Sequence, residues 1–129
     1  MEAIKFGVCG VGRIGRQHCR VFSQDREKYE LVALGDIDSA RVAAMAGEFG
    51  GRGYSEFAEF LADPEMELAI IATPSLDHAA NAEQALAAGK TVLLEKPIGV
   101  TAEDYQLLQR LDLIASGRRG RLASPLMLQ

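Results

Sequence analysis

The sequence predicts an α/β fold in which helices wind over both faces of one parallel sheet. Short apolar runs alternate with stretches of helical periodicity along the 129 residues, as in chains of strand–helix–strand units. The run at residues 68–72 is continuously apolar, which is typical of a parallel strand covered on both faces. A chain of this length forms about one domain, and we expect the strand order 3-2-1-4-5-6.

The first strand and the first helix are predicted at residues 4–9 and 13–24. Apolar side chains occupy alternate positions of the strand, as in a half-buried strand. The helix is expected to turn one apolar face inward, formed by Ile14, Val21 and Phe22.

A second strand at residues 31–34 leads into a helix over 39–49. Asp38 is placed to cap that helix, since a short carboxylate accepts from the free N–H groups of the first turn. Residues 52–54 leave room for a very short third strand. The apolar side chains at helical spacing in this second helix are Val42, Met45, Ala46 and Phe49.

The third helix is predicted to be small, with Ser55 as its cap and an end at Asp63-Pro64. After the apolar fourth strand, alanine-rich residues 76–88 predict a helix and residues 91–94 a fifth strand. The side chains that we expect to turn inward from the third helix are Phe57, Phe60 and Leu61.

Residues 101–104 resemble a capping box and start a helix that runs to about residue 115. Its inward side chains are predicted to be Tyr105, Leu108 and Leu111. Residues 121–129 are able to form a sixth strand. Pro125 lacks an N–H and restricts that strand to the edge of the sheet.

The composition argues against several classes of partner. A net charge of -4 and a pI near 5.2 give no basic surface for nucleic acid. No apolar run approaches the roughly 18 residues of a membrane span, and residues 1–5 already enter a strand, so we expect a cytoplasmic protein with no membrane partner. Cys9 and Cys19 lack the spacing of a redox or metal motif, so we expect small buried hydrophobes and no metal.

A Gly-x-Gly-x-x-Gly pattern lies between the first strand and the first helix. Gly10 is placed where the chain needs a tight turn, and Gly12 where a pyrophosphate would approach the backbone closely. Gly15 is placed where the helix would pack closely on the strand. The helix beginning at Arg13 would direct free N–H groups at the phosphates. The pattern in this context predicts a Rossmann-type fold that binds a dinucleotide.

Asp36 follows the second strand, 21 residues after Gly15. An acid at about this distance accepts hydrogen bonds from the adenosine ribose hydroxyls in doubly wound folds. The structural alternatives are a turn aspartate, or a partner of Asp38 at the next helix cap. As a ribose ligand, Asp36 would repel a 2′-phosphate and favour NAD over NADP, although Arg41 would offset part of that repulsion and leaves NADP open.

Four stretches of the chain resemble a known family over about residues 3–115. They are the loop 10–15, Asp36 with Asp38, Ala72-Thr73-Pro74 with His78, and residues 88–97. The last is the most specific, because it leads from Ala-Gly-Lys through an apolar strand into Glu-Lys-Pro. On these motifs the chain resembles the coenzyme domain of the glucose-fructose oxidoreductase, inositol dehydrogenase and MocA family of NAD(P)-dependent oxidoreductases.

The resemblance implies roles for particular residues. Gly12, Arg13 and Ile14 would lie along the pyrophosphate, and Asp36 would hold the ribose. Lys96, as the catalytic residue, would face nicotinamide and substrate and stabilise developing oxyanion charge. The full set of implied cofactor-binding residues is Gly10, Gly12, Arg13, Ile14, Gly15, Asp36, Ile37, Thr73, Pro74, His78, Glu95, Lys96 and Pro97.

Some of these residues have structural alternatives. Thr73, Pro74 and His78 would border the nicotinamide half of the cleft, but a histidine bonding a nearby loop is an equal reading of His78. Without the resemblance, Glu95 and Lys96 would be interpreted as an exposed ion pair. His18, on the first helix, is expected to make only packing or solvent contacts.

Family members continue into a second domain that holds the substrate half and the acid–base residues. We expect residues 1–116 to be the dinucleotide-binding domain and 117–129 a tail or edge strand, with that second domain absent. The resemblance implies hydride transfer between NAD(P) and a hydroxyl of a sugar, polyol or inositol-like substrate, for which this chain alone would lack full activity. The alternative is a stand-alone nucleotide-binding or interaction module without turnover. Uncovered apolar surface near residues 97–100 and the tail would favour a homo-oligomer.

Overall fold

The computed structural model describes residues 2–95, 101–104, 106, 107 and 110, and the backbone of 122 and 123. Within them, one all-parallel sheet has the order β3-β2-β1-β4-β5-β6. The predicted fold class and strand order are therefore confirmed, including the sixth strand at the edge. The strands are β1 (Ile4–Cys9), β2 (Tyr29–Gly35), β3 (Arg52–Tyr54), β4 (Leu68–Ile71), β5 (Thr91–Leu94) and β6 (Leu122–Ala123).

Helices cover both faces of the sheet, and the sheet separates the core into two layers. They are α1 (Arg13–Phe22), α2 (Ser39–Phe49), α3 (Phe57–Leu61) and α4 (His78–Ala87), the last preceded by a 3₁₀ turn (Ser75–Asp77). Helices α1 and α2 bury Cys19, Val42 and Met45 against one face. Helices α3 and α4 bury an aromatic and an alanine-rich surface against the other. Strand β4 is fully buried from Ala69 to Ile71, as the continuous apolar run predicted.

The register of the central strands aligns the ends that carry the site. Cys9, the last residue of β1, pairs with Gly35 of β2 and with Ile71 of β4. The hydrogen bonds continue one residue further, from Gly10 N–H to the Gly35 carbonyl and from Ala72 N–H to the Cys9 carbonyl, each at 2.8 Å. The carboxyl ends of three strands thus finish level at the point where the strand order reverses, where ligands bind in such sheets.

The inward face of α1 differs from the predicted one. Ile14 and Val21 are 37% and 53% exposed, whereas Gly15 and Cys19 are buried and Phe22 is half-buried. The helix approaches β1 through its smallest residues, because Gly15 has no Cβ to hold the backbones apart. The prediction was right for Phe22, which packs against the core, and wrong for Ile14 and Val21, because it counted only the large apolar side chains.

Two helix starts also differ from prediction. Ser55 does not cap α3, whose cap position is Glu56, with no side-chain hydrogen bond. Helix α4 begins at His78, two residues later than expected, because the 3₁₀ turn takes up the preceding residues. Asp38 caps α2 as predicted, accepting from the N–H groups of Ala40 and Arg41.

The predicted capping box at residues 101–104 is confirmed. Thr101 Oγ1 accepts from the Asp104 N–H at 3.1 Å, and Asp104 Oδ2 accepts from the Thr101 N–H at 3.2 Å. Leu107 in the following turn packs against the core. Several predictions concern positions outside the described residues. They are the inward positions of Tyr105, Leu108 and Leu111, the edge position of Pro125 and the segment expected to self-associate.

An ion-pair network surrounds Asp63 at the start of β3, opposite to the strands' carboxyl ends. Arg52 Nε and Nη2 donate to the two carboxylate oxygens of Asp63, each at 2.9 Å. The Tyr54 hydroxyl and the Glu65 N–H also donate to Asp63, at 2.7 and 3.0 Å. The Glu65 carboxylate pairs in turn with Arg52 and with Lys5.

The Asp63 carboxylate is fully buried yet ionised. Burial raises the pKa of this carboxyl, but the hydrogen bonds from Arg52, Tyr54 and the Glu65 N–H outweigh it and hold the pKa at about 2, below its ordinary 3.8. The network therefore ties β3, the end of α3 and the approach to β4 together by charge-assisted hydrogen bonds.

Both cysteines are buried and unpaired, as predicted. Burial raises the pKa of each thiol to about 12, and nearby Asp36 adds to the effect at Cys9. These thiols are therefore protonated and unreactive at neutral pH. Across the described parts of the chain, no helix is long and apolar enough to cross a membrane.

Candidate functional site

The glycine loop has the geometry that its three glycines predict. Gly10 has φ +92°, and a Cβ there would lie 2.5 Å from the Ala72 carbonyl oxygen. A Cβ on Gly15 would lie 1.7 Å from the Gly10 carbonyl oxygen, so helix and loop touch at that point. A Cβ on Gly12 would meet nothing within 4 Å. Packing explains the first and third glycines, and the space beside Gly12 is open for a ligand.

The N-terminus of α1 opens onto this space. The first helical hydrogen bond runs from the Arg16 N–H to the Gly12 carbonyl, 2.9 Å long, so the N–H groups of Arg13 and Ile14 precede it. The cap residue Gly12 supplies no side chain to bond them. Unbonded N–H groups and the positive end of the helix dipole suit an anion such as a pyrophosphate.

Asp36 is joined to the glycine loop. Its Oδ2 accepts from the Val11 N–H and its Oδ1 from the Asp38 N–H, both at 2.9 Å. The turn contact expected of a structural aspartate is thus present, and the carboxylate is also fixed beside the loop. Each oxygen keeps a second lone pair for a ligand hydroxyl. Arg41 pairs with Asp38 at 3.5 Å.

A cavity of about 220 Å³ lies beside Asp36, between the carboxyl ends of β1, β2 and β4 and the start of α4. Pockets for whole drug-sized ligands measure about 300–1,000 Å³. This cavity therefore suits one part of a dinucleotide, with the remainder lying across the open glycine loop. Its lining residues are Cys9, Gly10, Gly35, Asp36, Ile37, Ser55, Phe57, Thr73, Pro74, Asp77 and Asn81.

Side chains of α4 fix the position of Thr73. The Thr73 hydroxyl donates to Asn81 Oδ1 at 2.6 Å, and His78 Nε2 lies 2.7 Å from the Thr73 carbonyl oxygen. His78 is only 2% exposed and is not among the cavity's lining residues. His78 therefore makes the contact with a nearby loop that its structural interpretation predicts. Thr73 and Pro74 share the cavity with Asp36, and their assignment to the nicotinamide half stays a prediction.

Glu95 lies away from this cavity and contacts His18. Glu95 Oε2 and His18 Nε2 are 2.6 Å apart, with 20% and 18% of the side chains exposed. The packing contact expected of His18 is present, since its ring centroid lies 6.4 Å from that of Phe22, but the contact with Glu95 was not predicted. The pair joins α1 to the end of β5, beside a groove that Ile14 and Val21 also line. Lys96 and Pro97 lie outside the described residues.

Two residues that line the cavity, Asp77 and Asn81, were not predicted as site residues. The contact between His18 and Glu95, which are 77 residues apart, was not predicted either. The i, i+4 spacing of Asp77 and Asn81 is the one local indication that both share a helix face. Among the described residues, no group of three or more His, Cys, Asp or Glu side chains is arranged to hold a metal ion.

The family model described as "Oxidoreductase family, NAD-binding Rossmann fold" matches residues 4–114. The chain belongs to this oxidoreductase family. Inositol 2-dehydrogenase of Pseudomonas savastanoi pv. phaseolicola is 35% identical over 119 residues, which are 91% of this chain and 35% of that protein. The chain thus spans about a third of the length of this relative.

Solved structures of a dehydrogenase and of a reductase have the same fold as this chain. The WlbA dehydrogenase from Bordetella pertussis, in complex with NADH and UDP-GlcNAcA, matches with a TM-score of 0.85 and 29% identity over 90% of this chain and 35% of that one. Biliverdin reductase from Synechocystis, in complex with biliverdin and NADP+, matches with a TM-score of 0.82 and 33% identity, covering 94% of this chain and 37% of that one.

Proposed function

We propose that this chain is the coenzyme-binding portion of an NAD(P)-dependent oxidoreductase that acts on a hydroxyl of a sugar, polyol or inositol-like substrate by hydride transfer. The observation that carries the proposal is the open space beside Gly12, between two glycines that packing requires, with the Asp36 carboxylate fixed against the same loop. Nothing in the protein occupies the space that a side chain at Gly12 would fill, so packing does not require a glycine at that middle position.

The proposed coenzyme lies along one continuous surface. Its pyrophosphate contacts the loop 10–15, where the N–H groups of Arg13 and Ile14 bind anionic oxygens. Its adenosine ribose donates to Asp36. The base enters the cavity against Ile37, an apolar side chain that is 94% exposed. A bound base would remove that apolar surface from water, a favourable change.

The remaining predicted site residues have supporting roles in this proposal. Thr73 and Pro74 line the cavity proposed for the base, so in this proposal they border the adenosine half of the coenzyme and not its nicotinamide half, and His78 acts through the Thr73 carbonyl. Glu95, held by His18, precedes Lys96 and Pro97 at the reaction side. Bound nicotinamide supplies hydride acceptance and donation. Lys96 would stabilise negative charge on the substrate oxygen.

Fluorescence titration with NADH tests the proposal directly. We expect saturable binding by the 129-residue chain, and no binding at millimolar NADH would overturn the assignment. A panel of inositols and sugars, assayed with NAD and NADP, then separates a coenzyme-binding portion from a complete enzyme. We expect binding without efficient turnover, since the chain spans about a third of the length of its curated relative.

Asp36 is proposed to set coenzyme preference. In Asp36→Ser we expect the dissociation constant for NAD to rise about tenfold and that for NADP to rise less, because the lost carboxylate binds the ribose but repels a 2′-phosphate. Calorimetric titration of both coenzymes measures the effect. Asp38→Asn is the matched control, since it removes the neighbouring charge and keeps a capping residue. Equal losses for NAD and NADP in Asp36→Ser would remove Asp36 from the site.

We also propose a cytoplasmic location. The two unpaired cysteines are typical of a reducing compartment.

A further inference from the structure

Two polar side chains at the start of α4 line the cavity: Asn81, which accepts from the Thr73 hydroxyl, and Asp77, which has had no role so far. Asp77 is the last residue of the 3₁₀ turn, and Asn81 follows it by four residues. Residues at this spacing lie on the same side of a helix, and both line the cavity together with Asp36 and Ile37. The cavity thus combines apolar lining residues with two polar side chains from the start of α4.

The two side chains offer opposite hydrogen-bonding groups. The Asp77 carboxylate is exposed and, although at the cap position of α4, makes no capping hydrogen bond. An ionised carboxylate only accepts hydrogen bonds. Asn81 Oδ1 already accepts from the Thr73 hydroxyl, which leaves the Asn81 amide N–H₂ as the group able to donate to a ligand. The two side chains therefore present one acceptor beside one donor.

That pair complements adenine in particular. Along one edge, adenine presents its exocyclic amine, a donor, beside a ring nitrogen, an acceptor. Hypoxanthine carries a carbonyl oxygen in place of the amine, and this would face the Asp77 carboxylate acceptor to acceptor. We propose that Asp77 and Asn81 read the base of the coenzyme, with Asp77 accepting from the adenine amine and Asn81 donating to the neighbouring ring nitrogen. This inference rests on the proposed function, because it assumes that the adenosine half occupies the cavity.

The test compares NADH with reduced nicotinamide hypoxanthine dinucleotide by fluorescence titration of the full chain. We expect the chain to bind NADH about tenfold more tightly, the discrimination that one base contact provides. In Asp77→Asn, whose amide donates to the hypoxanthine carbonyl, we expect that ratio to fall to about one or to reverse. Asp77→Ser should lose the preference without reversing it. Glu83→Gln removes an exposed carboxylate from the same helix and should keep the ratio of the unmodified chain.

Each other outcome overturns the inference in a recognisable way. An unchanged ratio in folded Asp77→Asn and Asp77→Ser, with folding checked by circular dichroism, removes Asp77 from base recognition. Tighter NADPH binding in Asp77→Asn with an unchanged base ratio assigns Asp77 a purely repulsive effect on phosphate. Failure of the unmodified chain to bind NADH overturns the proposed function itself, whereas NADH binding without base preference overturns only the role of Asp77 and Asn81.

Discussion

Gly15→Ala is expected to destabilise the chain by about 3 kcal/mol or more and to abolish NADH binding. The added Cβ would lie 1.7 Å from the Gly10 carbonyl oxygen, a backbone atom that cannot move without displacing the loop from β4. Helix α1 would have to separate from β1, which exposes the buried Cys19 and opens the layer beneath it. Urea denaturation followed by circular dichroism measures the loss of stability.

Gly12→Ala is the matched control, because it adds the same methyl group to the same loop. Its Cβ would meet nothing within 4 Å, and its φ of -75° is available to alanine. We expect a stability change of about 1 kcal/mol or less, from the poorer cap, together with an NADH affinity reduced about tenfold or more. Undiminished NADH affinity in Gly12→Ala would contradict the pyrophosphate assignment, and full stability of Gly15→Ala would contradict the packing.

Asp63→Asn is expected to lower the free energy of unfolding by about 2–3 kcal/mol at neutral pH. The substitution keeps the shape of the side chain but removes the charge that accepts from Arg52 and Tyr54. Glu59→Gln, which removes an exposed carboxylate from the neighbouring helix α3, is the control and should change stability by less than about 0.5 kcal/mol.

The pH dependence identifies the charge as the cause. Because the Asp63 pKa is about 2 in the folded chain against an ordinary 3.8, its contribution is complete above pH 3.8 and is lost as the pH falls toward 2. The stability gap between the unmodified chain and Asp63→Asn should therefore narrow by roughly 2 kcal/mol over that window. Urea denaturation at successive pH values measures the gap. A gap independent of pH would show that Asp63 is not the low-pKa group.

Much of this fold follows from signals that are short in sequence. The alternation in β1, the Asp38 cap and the glycine loop each depend on residues within a few positions of one another, and each was predicted. The distance from Gly15 to Asp36 was informative because it measures one complete helix and strand. Such signals are local, so a single sequence is enough to predict them.

The predictions failed where packing or distant contacts decide. Small residues bring α1 to the sheet, and a scheme that weighs apolar size does not count Gly15 and Cys19. The His18–Glu95 contact depends on the strand order of the sheet, because β4 lies between β1 and β5. Asp77 lines the cavity from a 3₁₀ turn that precedes α4, and local patterns do not determine such a boundary.

Helix α1 also sets the distance between the glycine loop and the end of β5, where Glu95 lies. In the proposed complex its first turn would offer the N–H group of Arg13 to the phosphates, and His18 on the same helix contacts Glu95 at the end of β5. Five helical residues span about 7.5 Å, and each residue turns the side-chain direction by about 100°. A residue inserted between Gly15 and His18 would swing the histidine away from Glu95 while leaving the glycine loop intact. The spacing from the glycine loop to His18 is therefore fixed at both ends, and changes in the length of α1 would be tolerated only after Phe22, the last residue of the helix that packs against the core.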